Sequence, residues 1–104
     1  MLQIQGTADA TVAYGPSLIG PGAVTSVERW ATRDGCDATM PMTGTPFDLE
    51  TVIPGAETSV TSYPVGCDAG LEATLWTING GSHIPSLPLD IGSQFYDWLS
   101  THAR

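Results

Sequence analysis

The sequence predicts an α/β fold that runs strand, helix, strand, strand, strand, helix. Three observations carry the prediction. Short apolar runs lead into glycine turns, Leu2-Gln3-Ile4 before Gly6 and Leu75-Trp76-Thr77-Ile78 before Gly80-Gly81. Two segments, 23–33 and 90–102, place apolar residues at helical spacing. The chain has 104 residues, 41% of them hydrophobic and three of them Trp, which suffices for one core and one domain spanning 1–104.

Taken in order, residues 1–5 are short and weakly alternating and read as a buried strand. Gly6 to Gly22 contains four Gly and two Pro and reads as a long loop. The segment 23–33 reads as a helix with Val24, Val27, Trp30 and Ala31 on one face, closed by Gly35. Residues 37–46 read as loop. Two strand-like stretches follow, Phe47 to Ile53 and Ser59 to Val65, joined by the turn signal Pro54-Gly55. A second turn, Gly66 to Gly70, leads to a strand over 71–78. There Leu71, Ala73, Leu75 and Thr77 alternate with Glu72, Thr74 and Trp76. After a loop from Gly80 to Pro88, the last helix spans 90–102 with Ile91, Phe95, Trp98 and Leu99 on its buried stripe. There is no internal repeat and no low-complexity tract.

Composition excludes several functions. The formal net charge is −8, from eleven acids against three Arg and no Lys. Such a chain has little with which to neutralise phosphates, so neither nucleic acid nor an anionic membrane is an expected partner. No apolar run approaches the length of a membrane span. Two Cys and two His lack the spacing of a zinc site, and neither metal nor cofactor is expected. Charged residues are only 13% of the chain, while Gly, Ser, Thr and Pro are plentiful, a mixture that suits an extracellular enzyme. The first residues carry no basic region or long apolar stretch and do not read as a signal peptide. An exported parent would carry its signal upstream.

The residues that point to chemistry sit on the two glycine turns. Asp9 lies in Gly6-Thr7-Ala8-Asp9 and His83 in Gly80-Gly81-Ser82-His83, each at the end of a strand. An acid and then a histidine in these places are the second and third members of a Ser…Asp…His triad in α/β-hydrolase chain order. In that logic Nε2 of His83 takes and returns the nucleophile's proton, and Asp9 fixes the tautomer and stabilises the imidazolium. The plainer alternatives are a surface-loop histidine and a turn-capping aspartate. The two glycines before His83 let the backbone approach a neighbouring loop closely.

Four further pieces fit one family. Leu2-Gln3-Ile4-Gln5-Gly6-Thr7-Ala8-Asp9 with Val12 and Tyr14 is similar to an "H-G-T-x-D…V-P-Y" acid turn. Trp30-Ala31 with Gly35-Cys36 is similar to a helix ending in "N-G-C". Tyr63 with Gly66-Cys67 is similar to "Y…G-C", and Thr77-Ile78-Asn79-Gly80-Gly81-Ser82-His83 to an "I-x-G-G-G-H" histidine turn. In this order they resemble the C-terminal part of the polyhydroxybutyrate depolymerase and feruloyl esterase family of secreted α/β-hydrolases. Gln5 stands where the family has His, and Ile84-Pro85 where it has Trp-Pro. The resemblance implies the C-terminal part of an α/β-hydrolase sheet, incomplete as a stand-alone fold. The Leu2 and Leu71 strands would be parallel neighbours, with the Ser59 strand folded back as a hairpin. It also implies a disulfide between Cys36 and Cys67, against two free thiols.

No nucleophile elbow of the form G-x-S-x-G occurs. The nearest, Gly15-Pro16-Ser17-Leu18-Ile19, lacks the last glycine and follows no strand, and Ser82 is merely adjacent to His83. No oxyanion hole can be named. The expected function is therefore half of a secreted serine ester hydrolase that is inactive alone. Its parent would cleave a polyester or a feruloylated polysaccharide. The open edge of the Leu2 strand calls for the N-terminal half or a second copy of the chain. The rival is a stand-alone, non-catalytic oligomeric or binding module derived from such an enzyme. Trp30 and Trp98 read as core, with a carbohydrate-stacking surface as the alternative for the three Trp, and Trp76, out of phase with Leu75, reads as lying on the other sheet face. A helix-dipole contact accounts for His102.

Overall fold

A computed structural model describes residues 1–18, 20–83 and 85–101. Ile19, Ile84 and His102, each invoked above, lie outside the described residues. Six elements form: β1 (Leu2–Gly6), α1 (Ala23–Arg33), β2 (Met42–Thr43), β3 (Thr58–Tyr63), β4 (Ala73–Ile78) and α2 (Ile91–Thr101). They make a small mixed α/β domain with one four-stranded sheet, in the order β1-β4-β3-β2. β1 runs parallel to β4 from Leu2↔Thr74 to Gly6↔Ile78. β3 runs antiparallel to β4 from Thr58↔Ile78 to Tyr63↔Ala73. β2 adds at the far edge through Met42↔Ser62 and Thr43↔Thr61.

Every residue of β4 is buried, as an interior strand covered on both faces must be. Its alternation splits the core in two. Ala73 and Leu75 pack with Ala23, Val27 and Ala31 of α1 and with Tyr63. Trp76 and Ile78 face the other way and pack with Leu49, Phe47, Ile53 and the Ile91, Phe95 and Trp98 stripe of α2. Leu2 and Ile4 of β1 join this second cluster. β1 pairs only with β4 among the described residues. Met1 accepts from Thr74 and Thr7 donates to Ile78. Strand alternation therefore turns the backbone groups of Leu2 and Ile4 toward the open edge.

Both helices differ in detail from the expected stripes. The buried row of α1 is Ala23, Val27 and Ala31, at successive four-residue steps. Small side chains on this row allow close approach to the sheet. Val24 and Trp30, expected inside, are 41% and 44% exposed, and the Arg33 guanidinium lies 5.1 Å from the centre of the Trp30 ring. In α2 no residue is fully buried, and Leu99, expected on the stripe, is exposed.

The end of α1 is built as the sequence predicts. Gly35 has φ +80°, which a Cβ would disfavour. Its amide donates to Thr32, and the Cys36 amide donates to Ala31 at 2.8 Å, the paired bonds of a Schellman turn. This delivers Cys36 to its disulfide with Cys67. The Asp68 amide donates to the Asp34 carbonyl and the Asp37 amide to the Val65 carbonyl, so the two turns are also hydrogen-bonded.

The first of the three middle strands is not where periodicity places it. Phe47 makes an isolated bridge with Thr58, and residues 48–53 form no strand. The strand is instead Met42–Thr43, inside the segment read as loop. The cause is a side chain. Oε1 of Glu57 accepts the amide hydrogens of both Leu49 and Glu50, and Oε1 of Glu50 accepts that of Val52. Carboxylates thus take donors that a neighbouring strand would otherwise satisfy.

Candidate functional site

The parallel pairing of β1 and β4 sends both chains out of the same end of the sheet. There the two turns interlock. The Thr7 amide donates to Ile78, the Ala8 amide to Gly81 at 2.9 Å, and the Gly80 amide to Oγ1 of Thr7 at 2.8 Å. A Cβ on Gly6 would lie 2.0 Å from the Gly81 carbonyl oxygen, so only glycine fits at this crossing. The close approach anticipated from Gly80-Gly81 is real, and Gly6 is its other half.

Across 74 positions of sequence, Nδ1 of His83 lies 2.9 Å from Oδ2 of Asp9. The Asp9 side chain is only 4% exposed, while the His83 side chain is 47% exposed. Oδ1 of Asp9 accepts the amide hydrogens of Thr11 and Val12, each at 2.8 Å. Burial of this carboxylate opposes ionisation. Hydrogen bonds from the Val12 amide, His83 and the Thr11 amide, with the nearby charge of His83, outweigh it and hold the pKa below the ordinary aspartate value. Asp9 therefore caps its own turn and also contacts the imidazole. With Nδ1 committed to Asp9, Nε2 is the ring nitrogen for any chemistry.

Ile4, Gln5, Gly6, Asp9, Val12, Ile78, Ser82, His83 and Pro85 line a hollow of about 200 Å³. Ser82 belongs to this hollow, whereas Ser17 lines a separate one near the start of α1. Gln5 donates to the Val12 carbonyl at 2.8 Å and reaches Oδ2 of Asp9 at 3.5 Å. It ties the acid turn to β1, a role that sequence reasoning missed. Tyr14 anchors the same loop through a 2.8 Å hydroxyl contact with Oγ1 of Thr77.

A second set of residues, given no role in the sequence reading, supports the histidine turn. The Asn79 amide and Nδ2 both donate to the Glu57 carbonyl, at 3.1 and 2.8 Å. The Thr51 amide donates to the Ser86 carbonyl at 2.8 Å. Burial would raise the pKa of Glu57, but the amides of Glu50 and Leu49 and its own amide lower it on balance. Desolvation and the charge of Glu57 push Asp48 upward. Nothing in the sequence reading pointed to either acid.

The three tryptophans do not share a surface. Trp76 is buried edge-on to Phe47, with ring centres 5.1 Å apart, and Phe95 lies 6.4 Å away. Trp98 is half-buried on the opposite face from α1, and Trp30 is on the exposed side of α1. Among the described residues, no group of three or more His, Cys, Asp or Glu side chains converges as a metal site requires. No described helix is long and apolar enough to cross a membrane. Comparison with protein-family models, curated proteins and solved structures found no match.

Proposed function

We propose that this chain is the C-terminal half of a serine carboxylic-ester hydrolase, with Asp9 and His83 as the acid and base of its triad. The observation that supports the reading is the 2.9 Å Asp9–His83 contact, made by turns at the same end of adjacent parallel strands. In the reaction, Nε2 takes the proton of a serine Oγ as that oxygen attacks the ester carbonyl. It then gives the proton to the departing alcohol, and Asp9 stabilises the imidazolium between the two steps. The serine and the oxyanion donors come from the other half of the enzyme. The substrate would be a polyester or a feruloylated polysaccharide, and the parent a secreted protein.

The test is a chimera. Fused behind the N-terminal half of a complete polyester depolymerase or feruloyl esterase, the chain should give turnover of an activated aryl ester that His83→Ala abolishes. Alone, it should do no better than a histidine-bearing control protein, because a base without nucleophile and oxyanion hole loses most of the catalytic factor. Turnover by the chain alone, blocked by a serine-directed phosphonate and by Ser17→Ala or Ser82→Ala, would place the nucleophile within it and contradict the proposal.

The second reading is a non-catalytic oligomeric or binding module. It is favoured by the open edge of β1 beside an apolar cleft of about 380 Å³ lined by Met1, Leu2, Ile4, Phe95, Trp98 and Leu99. That reading requires assembly to survive His83→Ala and the chimera to remain inactive.

A further inference from the structure

We infer that Glu57 is a positioning residue for His83, clamping both ends of the turn that carries the histidine. The consequence for catalysis rests on the ester-hydrolase reading; the geometry does not.

The histidine turn leaves β4 at Ile78 and runs through Ser86. At its first end, Asn79 is held twice by the Glu57 carbonyl and once more by Oγ of Ser59, at 2.9 Å from its Nδ2. At its far end, the Ser86 carbonyl accepts the Thr51 amide at 2.8 Å and lies 3.3 Å from Oγ1 of Thr51. Thr51 is fixed in its turn by the same glutamate. Oε1 of Glu57 accepts the amides of Leu49 and Glu50, the two residues that precede Thr51. Leu49 is 1% exposed and packs against Trp76 and Ile78, so this short segment is anchored in the core as well. One residue thus holds the start of the turn through its carbonyl and the end of it through its carboxylate.

The burial of Glu57 supports a dedicated role. It is 8% exposed, and no Lys or Arg pairs with it among the described residues. Burying a carboxylate without a cation is costly unless hydrogen bonds compensate, and here backbone amides supply them. A neutral, apolar residue would avoid that cost and leave the 49–51 segment without its anchor. Oε2 is buried as well, and the Asp48 carboxyl interacts with the Glu57 side chain. The third hold on the turn, from Thr7 and Ala8, belongs to the acid loop. Loss of the Glu57 carboxylate would free the far end of the turn, while the Asn79 bonds to the Glu57 carbonyl and the acid-loop bonds would still hold its near end.

The measurement is the tautomer of His83, read from its two ring nitrogens by ¹⁵N NMR at a pH where the imidazole is neutral. An imidazole held by Asp9 carries its proton on Nδ1, whereas a released one shifts toward Nε2–H. Wild type should be mainly Nδ1–H. Glu57→Ala should lose that majority while keeping its far-UV circular dichroism and its disulfide. Glu57→Gln retains an acceptor oxygen for the two amides and should match wild type. A folded Glu57→Ala that keeps the wild-type tautomer overturns the inference.

If Glu57→Ala does not fold, Asn79→Ala decides. It cuts the Nδ2 bonds alone and should lower the Nδ1–H population; an unchanged population overturns the inference. In the wild-type protein, the amides of Leu49, Glu50 and Thr51 should exchange with similar protection, as one opening unit. A freely exchanging Thr51 amide contradicts the clamp. None of these readouts requires ester turnover. A dependence on Glu57 in an inactive chimera would sink the ester reading alone, and an active chimera indifferent to Glu57 would sink the clamp alone.

Discussion

The two ends of β4 are closed by different means. At its beginning, Ala73 pairs with Tyr63, and the turn after β3 is joined to the end of α1 by the Cys36–Cys67 disulfide. Reciprocal backbone bonds and a Schellman turn reinforce that corner. At its other end, Ile78 opens into the histidine turn, held to the acid turn and to Glu57 by hydrogen bonds alone. One end is a covalent frame. The other is a set of interlocked turns around an imidazole with an exposed face. On the proposed reading, function would be carried where closure is reversible, because a reacting group needs access and some freedom to move.

Breaking the frame has the largest expected effect. Replacing both cysteines by Ser removes a cross-link between residues 31 positions apart. On the loop-entropy model this costs about 3–4 kcal/mol. That is a large share of the roughly 5–15 kcal/mol typical of a domain. Denaturant unfolding at fixed pH measures it. A loss below about 1 kcal/mol would mean that the hydrogen bonds of the corner suffice without the cross-link.

Breaking the interlock comes next. Gly6→Ala forces a Cβ against the Gly81 carbonyl and should cost about 1–3 kcal/mol, because backbone must move. It should also part Asp9 from His83. Gly15→Ala is the control, since nothing lies within 4 Å of the added Cβ. Its effect should stay within about 0.5 kcal/mol.

The smallest effect is on the acid limb of stability. Asp9 at the site end and Asp37 at the frame end both have pKa values lowered below the ordinary 3.8. For a depressed carboxyl, the stabilisation is present above the unfolded pKa and is lost as pH falls through the folded one. Unfolding titrated downward from about pH 5 should therefore show both contributions fading. Asp9→Ala, which removes the acceptor as well as the charge, should flatten that limb and deprotect the amides of Thr11 and Val12. Asp37→Asn should flatten it while leaving those amides protected. Equal effects of the two variants on the Thr11 and Val12 amides would erase the distinction between the ends.

Much of this was legible because it is local. Gly35 announces the end of α1, and turn glycines mark where β1 and β4 stop. Asp9 and His83 follow those stops directly, and parallel strands then bring them to one end. What could not be read is long-range. The run from Phe47 to Ile53 has strand composition, and Glu57, folded back onto it, diverts the amides of Leu49 and Glu50, while Ser86 takes that of Thr51 and Glu50 that of Val52. Trp30 and Val24 share helical spacing with Val27 and Ala31, but the narrow strip over β4 selects the row of smaller residues. Gln5 serves the acid turn through a bond to Val12 that no spacing predicts.

The central claim is that Asp9 and His83 form an assembled pair within this chain. The most direct test is the protonation of the two His83 ring nitrogens, by ¹⁵N NMR at about pH 9, well above the ordinary imidazole range near 6.5. The account predicts a proton on Nδ1 in the wild-type protein and a shift toward Nε2–H in Asp9→Asn. A wild-type spectrum already dominated by Nε2–H, and indifferent to Asp9→Asn, would contradict it.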